Sequence, residues 1–185
     1  MKKSTIAIIA VITVIVIAVL ALVLNTGAKS NLNVNSVQDL NTLVDNIYKG
    51  VTVEMPGVLT QEIDITDKDM VSYVTGLTDG SQLEYLVVSE AMISQAYSMV
   101  IAKVKPGVNA SKVAETMKDN IDTRKWICVS AEQLYSTNSG DVVFLVMTNK
   151  DLADNIFSSF KNLAGGIGKT FEKVEQQAEL PADMY

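Results

Sequence analysis

The sequence predicts an α+β domain, a mainly antiparallel sheet of about four strands with helices packed on it, set behind an N-terminal transmembrane helix. Three observations carry this reading. Residues 6–24, "IAIIAVITVIVIAVLALVL", are apolar except for Thr13. From residue 83 a strand–strand–helix pattern runs twice. Each of its helices carries an apolar stripe at helical spacing, and a stripe needs a sheet face to cover.

At ~1.5 Å per residue, a helix over residues 6–24 rises about 29 Å and matches a hydrocarbon core of roughly 30 Å. Lys2 and Lys3 precede the run and only Lys29 follows closely, so the positive charge holds the N-terminus in the cytoplasm and the rest of the chain is exported. The alternative is a cleaved signal peptide and a secreted domain, for which Thr26 and Ala28 supply small residues. The run is longer than the ~7–15 residues of a signal core, which favours the retained anchor. No cysteine follows the run closely enough to carry a lipid. The organisation is then a signal-anchor over residues 1–24, an Asn-rich spacer over 25–35, an exported domain over 36–164 and a flexible tail over 165–185.

Of the 15 Lys and Arg, Lys2, Lys3 and Lys29 precede residue 30, whereas all 21 Asp and Glu follow it, so the exported part carries a net charge of −9. Such a domain is a poor partner for nucleic acid or anionic headgroups, both of which need a basic patch. There is no histidine, which removes histidine triads, imidazole zinc sites and the commonest general base at neutral pH. Cys128 is the only cysteine; no intramolecular disulfide forms, and "WICVS" reads as a small apolar core position.

The folded part opens at Ser36, where "SVQD" is a capping box. Leu40, Leu43, Val44 and Ile47 then share one helical face, and Gly50 suits a left-handed stop. "VTVEMPGVLTQEIDI" is β-biased around Pro56-Gly57 and reads as one or two edge strands. A second capping box, Thr66 to Asp69, starts a short helix closed by Gly76. Residues 83–89 and 96–105 read as strands, joined through Lys105-Pro106-Gly107 to a helix capped by Asn109 with Val113, Met117 and Ile121 inward. Residues 127–135 read as a strand, "STNSGD" as a turn and 142–147 as a strand. "VVFLVM" is apolar at every position, which predicts a central strand covered on both faces. Thr148 and Asp151 cap a last helix with Leu152, Ile156, Phe160 and Leu163 on one face. Both helices of the repeat are expected on one face of the sheet, with the first helix available for the other. In the tail, Phe171, Val174 and Ala178 allow a short helix.

The chemistry-bearing stretches are few. "GGIGKT", residues 165–170, ends like a phosphate-binding loop, but the position of its first glycine holds Leu163 and the stretch follows a helix rather than a strand. It reads as a helix stop and flexible joint, so no nucleotide is expected. Asp64, Asp67 and Asp69 offer three oxygens to a calcium ion, yet they lack the turn glycine and distal glutamate of a calcium loop, and capping explains two of them. Asn109-Ala110-Ser111 matches a glycosylation sequon and reads as a cap. Trp126 reads as partly buried rather than as an exposed sugar-stacking ring. No catalytic, cofactor-binding or metal residues are assigned.

Residues 83–163 resemble a family of exported domains from Gram-positive anaerobes catalogued as domain of unknown function 4358. The resemblance lies in "YLVVSEAMISQAYSMVIAKVKPG", "VAETMKDNID", "STNSGDVVFLVMT" and "NKDLADNIFSSF". Many relatives carry a lipid-anchored cysteine where this chain has a helix. The resemblance implies an envelope location and an α+β fold, and no catalytic residues. The expected function is a membrane-anchored, non-enzymatic binding module for an envelope protein or wall component; the alternative is a small-ligand receptor or carboxylate-dependent envelope enzyme.

Overall fold

The computed structural model describes residues 29–93 and 95–175; the apolar run 6–24 and the end of the tail lie outside them. Among the described residues no helix is long and apolar enough to cross a membrane. The elements in order are α1 (Val37–Lys49), β1 (Val58–Glu62), α2 (Lys68–Thr75), β2 (Leu83–Ala91), β3 (Ser98–Val104), α3 (Ala110–Asn120), β4 (Gln133–Ser139), β5 (Val142–Thr148), α4 (Lys150–Ala164) and β6 (Phe171–Val174).

Side chains at the helix starts satisfy amides that have no partner inside the helix. Ser36 accepts from the Asp39 amide and donates to its carboxylate, while Asp67, Asn109 and Asn149 accept from Met70, Lys112 and Leu152. The caps of α2 and α4 therefore fall one residue after the expected Thr66 and Thr148. The Thr66 hydroxyl is engaged by Asp64, and Thr148 is buried as the last residue of β5. The apolar stripes of α1, α3 and α4 point inward as read from the sequence.

The sheet has six strands, all antiparallel, in the order β1-β2-β3-β5-β4-β6. β5 lies inside it, with every residue buried. Val143, Leu145 and Met147 pack towards α2 and α3, whereas Val142, Phe144 and Val146 pack towards α1 and α4. The fold is thus α+β in three layers, helices on both faces of one sheet.

Several expectations need correction. β1 is the edge strand expected around Pro56-Gly57, and with β6 on the other side the four strands of the repeat become six among the described residues. With β6 present, α4 is a crossover: it joins β5 to the parallel strand β6, just as α3 joins β3 to β4. Both connections step across the sheet in the same direction, but β3 and β5 run oppositely. Crossovers of one hand must then lie on opposite faces, and the preferred hand is right. That is why α3 and α4 do not share the expected face.

The strand expected over 127–135 lies instead over Gln133–Ser139, and the turn within "STNSGD" shrinks to Gly140-Asp141. Ser136, Thr137 and Ser139 of β4 are buried because other segments supply partners: Ser136 donates to Ala114 O at 2.9 Å, Thr137 to Lys169 O at 3.1 Å and Ser139 to Gly166 O at 2.6 Å. Those last two acceptors lie in "GGIGKT". Gly165 stops α4 at φ +70, as expected, but the stretch is packed on β4 rather than a free joint, since Gly168 N–H donates to Asn138 O at 2.7 Å. Beyond it Phe171–Val174 forms a strand, not a helix, with Phe171 buried and Val174 exposed.

The spacer also changes character. Asn31 N–H donates to Ala164 O, Val34 is 5% exposed, and Lys103 Nζ donates to Val34 O. Residues 30–35 are thereby strapped to the domain. Gly50 ends α1 in right-handed geometry; a Cβ there would stand 2.3 Å from Ser159 Oγ and would displace the hydroxyl that donates to Ile47 O.

Gly76 and Gly107 separate two costs. Both have positive φ, but a Cβ on Gly76 would meet Ile121 N at 2.5 Å, while one on Gly107 meets nothing within 4 Å. Urea titration of Gly107→Ala is expected to show a loss of about 1 kcal/mol. For Gly76→Ala, where backbone must also move, the expected loss is about 2–4 kcal/mol.

Candidate functional site

The strand registers divide the sheet into two ends. At one, Val104 N–H donates to Asp141 O beside the Gly140 turn, and the strap 30–35 crosses there, with Ser30 and Ser139 hydroxyls 2.8 Å apart. At the other, Val58 pairs with Ala91, Glu90 with Ser98, Ser98 with Met147 and Gln133 with Thr148. This second end, remote from the strap, carries Leu59 (58% exposed), the loop residues Met92 (70%) and Ile93, and Ile127 (86%).

The loop before β4 is held there by Lys125, whose side chain is 4% exposed. Its ammonium lies 2.6 Å from Glu90 Oε1 and 3.4 Å from Ser98 Oγ, with the Tyr73 and Trp126 rings 4.5 and 5.4 Å away at their centroids. Burial pulls the Lys125 proton affinity down, and Glu90 opposes that pull. One carboxylate, one hydroxyl and two ring faces satisfy the cation. The cluster is a closed brace, and its effect is to hold the loop with Ile127 pointing outward.

Cys128 lies beside Ile127, exposed and at φ +65. The expected core position is therefore wrong. The apolar neighbours Trp126 and Ile127 suggested a strand, but the brace at Lys125 turns the chain, and only Trp126 packs against the core, as expected. Neither the brace nor the exposed apolar end was legible beforehand; the available signal was a lysine directly before the only tryptophan.

On the opposite sheet face a half-buried hydroxyl chain joins α1 to β1. Tyr48 donates to Ser89 Oγ at 2.6 Å and bonds to Tyr97 Oη at 2.8 Å, and Thr60 Oγ1 donates to Ser89 at 2.9 Å. Burial raises the proton affinity of both phenols, so they stay neutral.

Two open grooves are acidic. One, of about 360 Å³, lies where β1 leaves β2 and is lined by Glu62, Ile63, Asp64, Ile65, Glu84, Tyr85 and Leu86. The other, of about 340 Å³, includes Asp151 and Asp154. Asp64 accepts from the amide and hydroxyl of Thr66, at 2.8 and 2.7 Å, and these bonds hold its carboxyl below the usual range. Burial pushes Asp154 up, but hydrogen bonds from Lys150 and Tyr135 outweigh it and leave it lowered. Among the described residues the carboxylates with a shifted affinity, which include Asp39, Asp79, Glu115, Asp119 and Glu175, are shifted down. Among the described residues no three acidic or thiol side chains converge on a metal position; Asp67 is occupied as the cap of α2. Lys169, the lysine of "GGIGKT", lies 4.8 Å from the Phe171 ring centroid.

The chain matches no family model, no curated protein and no solved structure. The site therefore rests on geometry: an exposed apolar end, a brace that shapes it, and two acidic grooves, in which Asp64 and Asp154 are held below the usual carboxyl range.

Two measurements check this account. Glu90→Ala leaves the Lys125 ammonium buried without its counter-charge, and urea denaturation is expected to show a loss of about 3 kcal/mol, most of it recovered when Glu90→Leu is combined with Lys125→Met. Carboxyls with lowered affinity contribute stability above their unfolded values near 4 that is lost as pH falls through the folded values. With no histidine to titrate, the melting temperature is expected to be flat from about pH 5 to 8 and to drop below about pH 4.

Proposed function

We propose that the chain is a membrane-anchored, extracytoplasmic binding module of the cell envelope, held by residues 6–24 with its N-terminus in the cytoplasm. The observation that carries the binding reading is the collection of exposed Leu59, Met92, Ile93 and Ile127 at the end of the sheet remote from the strap. Soluble surfaces seldom gather large apolar side chains without a partner to cover them.

The strap supports the placement of that end. Because residues 30–35 pack on the domain, only residues 25–29 separate the apolar run from it, a reach of at most about 18 Å. The Gly140 turn then lies close to the headgroups and the apolar end points away from them. The resemblance of residues 83–163 to an exported family is in keeping with this.

Protease added outside intact cells is expected to remove the domain, and the chain is expected to stay with the membrane after an alkaline wash. Protection from protease would reverse the orientation; release into the medium would favour a cleaved leader. A photo-reactive residue at Ile127 is expected to capture a partner in native membranes, and one at Asp141 is not. Equal capture at the two positions would remove the apolar end as the binding surface.

A further inference from the structure

The outer edge of β1 is an open hydrogen-bonding row. Gly57 O accepts from Met92 N–H at 2.8 Å, and Ile63 N–H donates to Leu86 O at 3.0 Å. In an antiparallel ladder, paired residues alternate between those that exchange both bonds and those that exchange neither. Gly57 and Ile63 bond inward, so Leu59 and Gln61 do too, and Val58, Thr60 and Glu62 turn their N–H and C=O groups outward. None of these six backbone groups has a partner among the described residues. The hydroxyl chain through Thr60 and Ser89 anchors the strand from its inner face and leaves this row free.

The opposite edge is shorter and guarded. On β6, Glu175 N–H bonds inward to Glu132 O, which leaves Glu172 and Val174 facing out, with Lys173 between them and Lys169 just before the strand. Lysines are a common block to edge pairing. β1, "VLTQE", has no Lys or Arg and no internal proline. Its charge is instead acidic: Glu62, Asp64 and Glu84 line the groove where β1 departs from β2, and none of them is in an ion pair among the described residues. The bonds from Thr66 keep Asp64 charged.

A second copy is the wrong occupant for such an edge. It would set two chains, each with a net charge of −9 over residues 30–185, side by side with no cation in either strand. We infer that the outer edge of β1 takes an extended polypeptide segment of a partner as an added strand, and that the segment carries Lys or Arg side chains received by Glu62, Asp64 and Glu84. Backbone bonds supply the attachment and the carboxylates select its charge. The inference rests on the binding-module reading and gives that module a partner chemistry.

The test uses the full chain in nanodiscs of zwitterionic lipid and fluorescent peptides of about twelve residues. One alternates Lys with Val, a second keeps its charge but replaces alternate residues with proline, and a third carries Glu for Lys. The Lys/Val peptide is expected to bind, the proline peptide at least about tenfold more weakly because it cannot pair with an edge, and the Glu peptide not at all. Thr60→Pro removes one outward N–H and is expected to weaken the first peptide by about tenfold. Glu62→Gln with Glu84→Gln is expected to weaken it a few-fold at low salt and to flatten the salt dependence. The peptide series leaves the protein unaltered, so it decides the matter even where Thr60→Pro fails to fold. Equal binding of the Lys/Val and proline peptides, no binding of either, or self-association abolished by Thr60→Pro would each overturn the inference. If those outcomes occur while the domain is still found outside the cell and still captures at Ile127, the binding-module reading stands without this edge.

Discussion

The rest of the structure depends on the burial of β5 from both sides. Seven consecutive residues, Val142–Thr148, have no solvent-facing position, so the sheet requires a helical layer above and another below. Each buried large side chain contributes roughly 1.5–3 kcal/mol, and the aromatic side of the strand adds ring contacts: Phe144 stacks on Phe160 at 4.2 Å, and Phe157 stacks on Tyr135 at 4.6 Å. An exposed β5 would be an apolar ribbon with no stable place in water. The two crossovers meet the requirement because their strands run in opposite directions, which sends α3 and α4 to opposite faces.

That arrangement has a consequence for β4. The chain leaving α4 must return across the end of the sheet to reach β6, and residues 165–169 pass over the polar strand. Their carbonyls accept the Thr137 and Ser139 hydroxyls, and the Gly168 amide donates to Asn138 O. A side chain at 168 would put its Cβ 2.3 Å from Asn138 Oδ1. Gly168 of "GGIGKT" thus serves close backbone approach, the same property that suits glycine to phosphate loops, here directed at a strand of the same chain.

The two sheet ends and the β1 edge differ in what they leave unsatisfied. At the strap end, hydrogen bonds between residues 30–35 and the domain are made. At the opposite end, the Lys125 brace consumes the charge of Glu90 but leaves Ile127 in water. Along β1, among the described residues, the outward backbone row has no partner and the flanking carboxylates are in no ion pair. Among the described residues these two surfaces differ in kind, apolar at the far end and hydrogen-bonding with negative charge at the edge.

Local patterns in the sequence were sufficient for the helices, since the caps Ser36 and Asn109 and the stripes of α1, α3 and α4 depend on residues a turn or less apart. They were also sufficient for β5, whose unbroken apolar run has no other stable place. The position of β4 was not legible, because "QLYSTNS" is polar and its burial depends on acceptors from Ala114, Gly166 and Lys169, far away in sequence. The same holds for β6, whose partner is that misread strand, and for Cys128, placed outside by an ion pair between residues 90 and 125. The sequence by itself determined which segments must be covered, through periodicity and capping. Only the tertiary structure decided which face each helix covers, which polar strand is buried and which edge stays open, because those outcomes depend on partners that the chain brings together only when it folds.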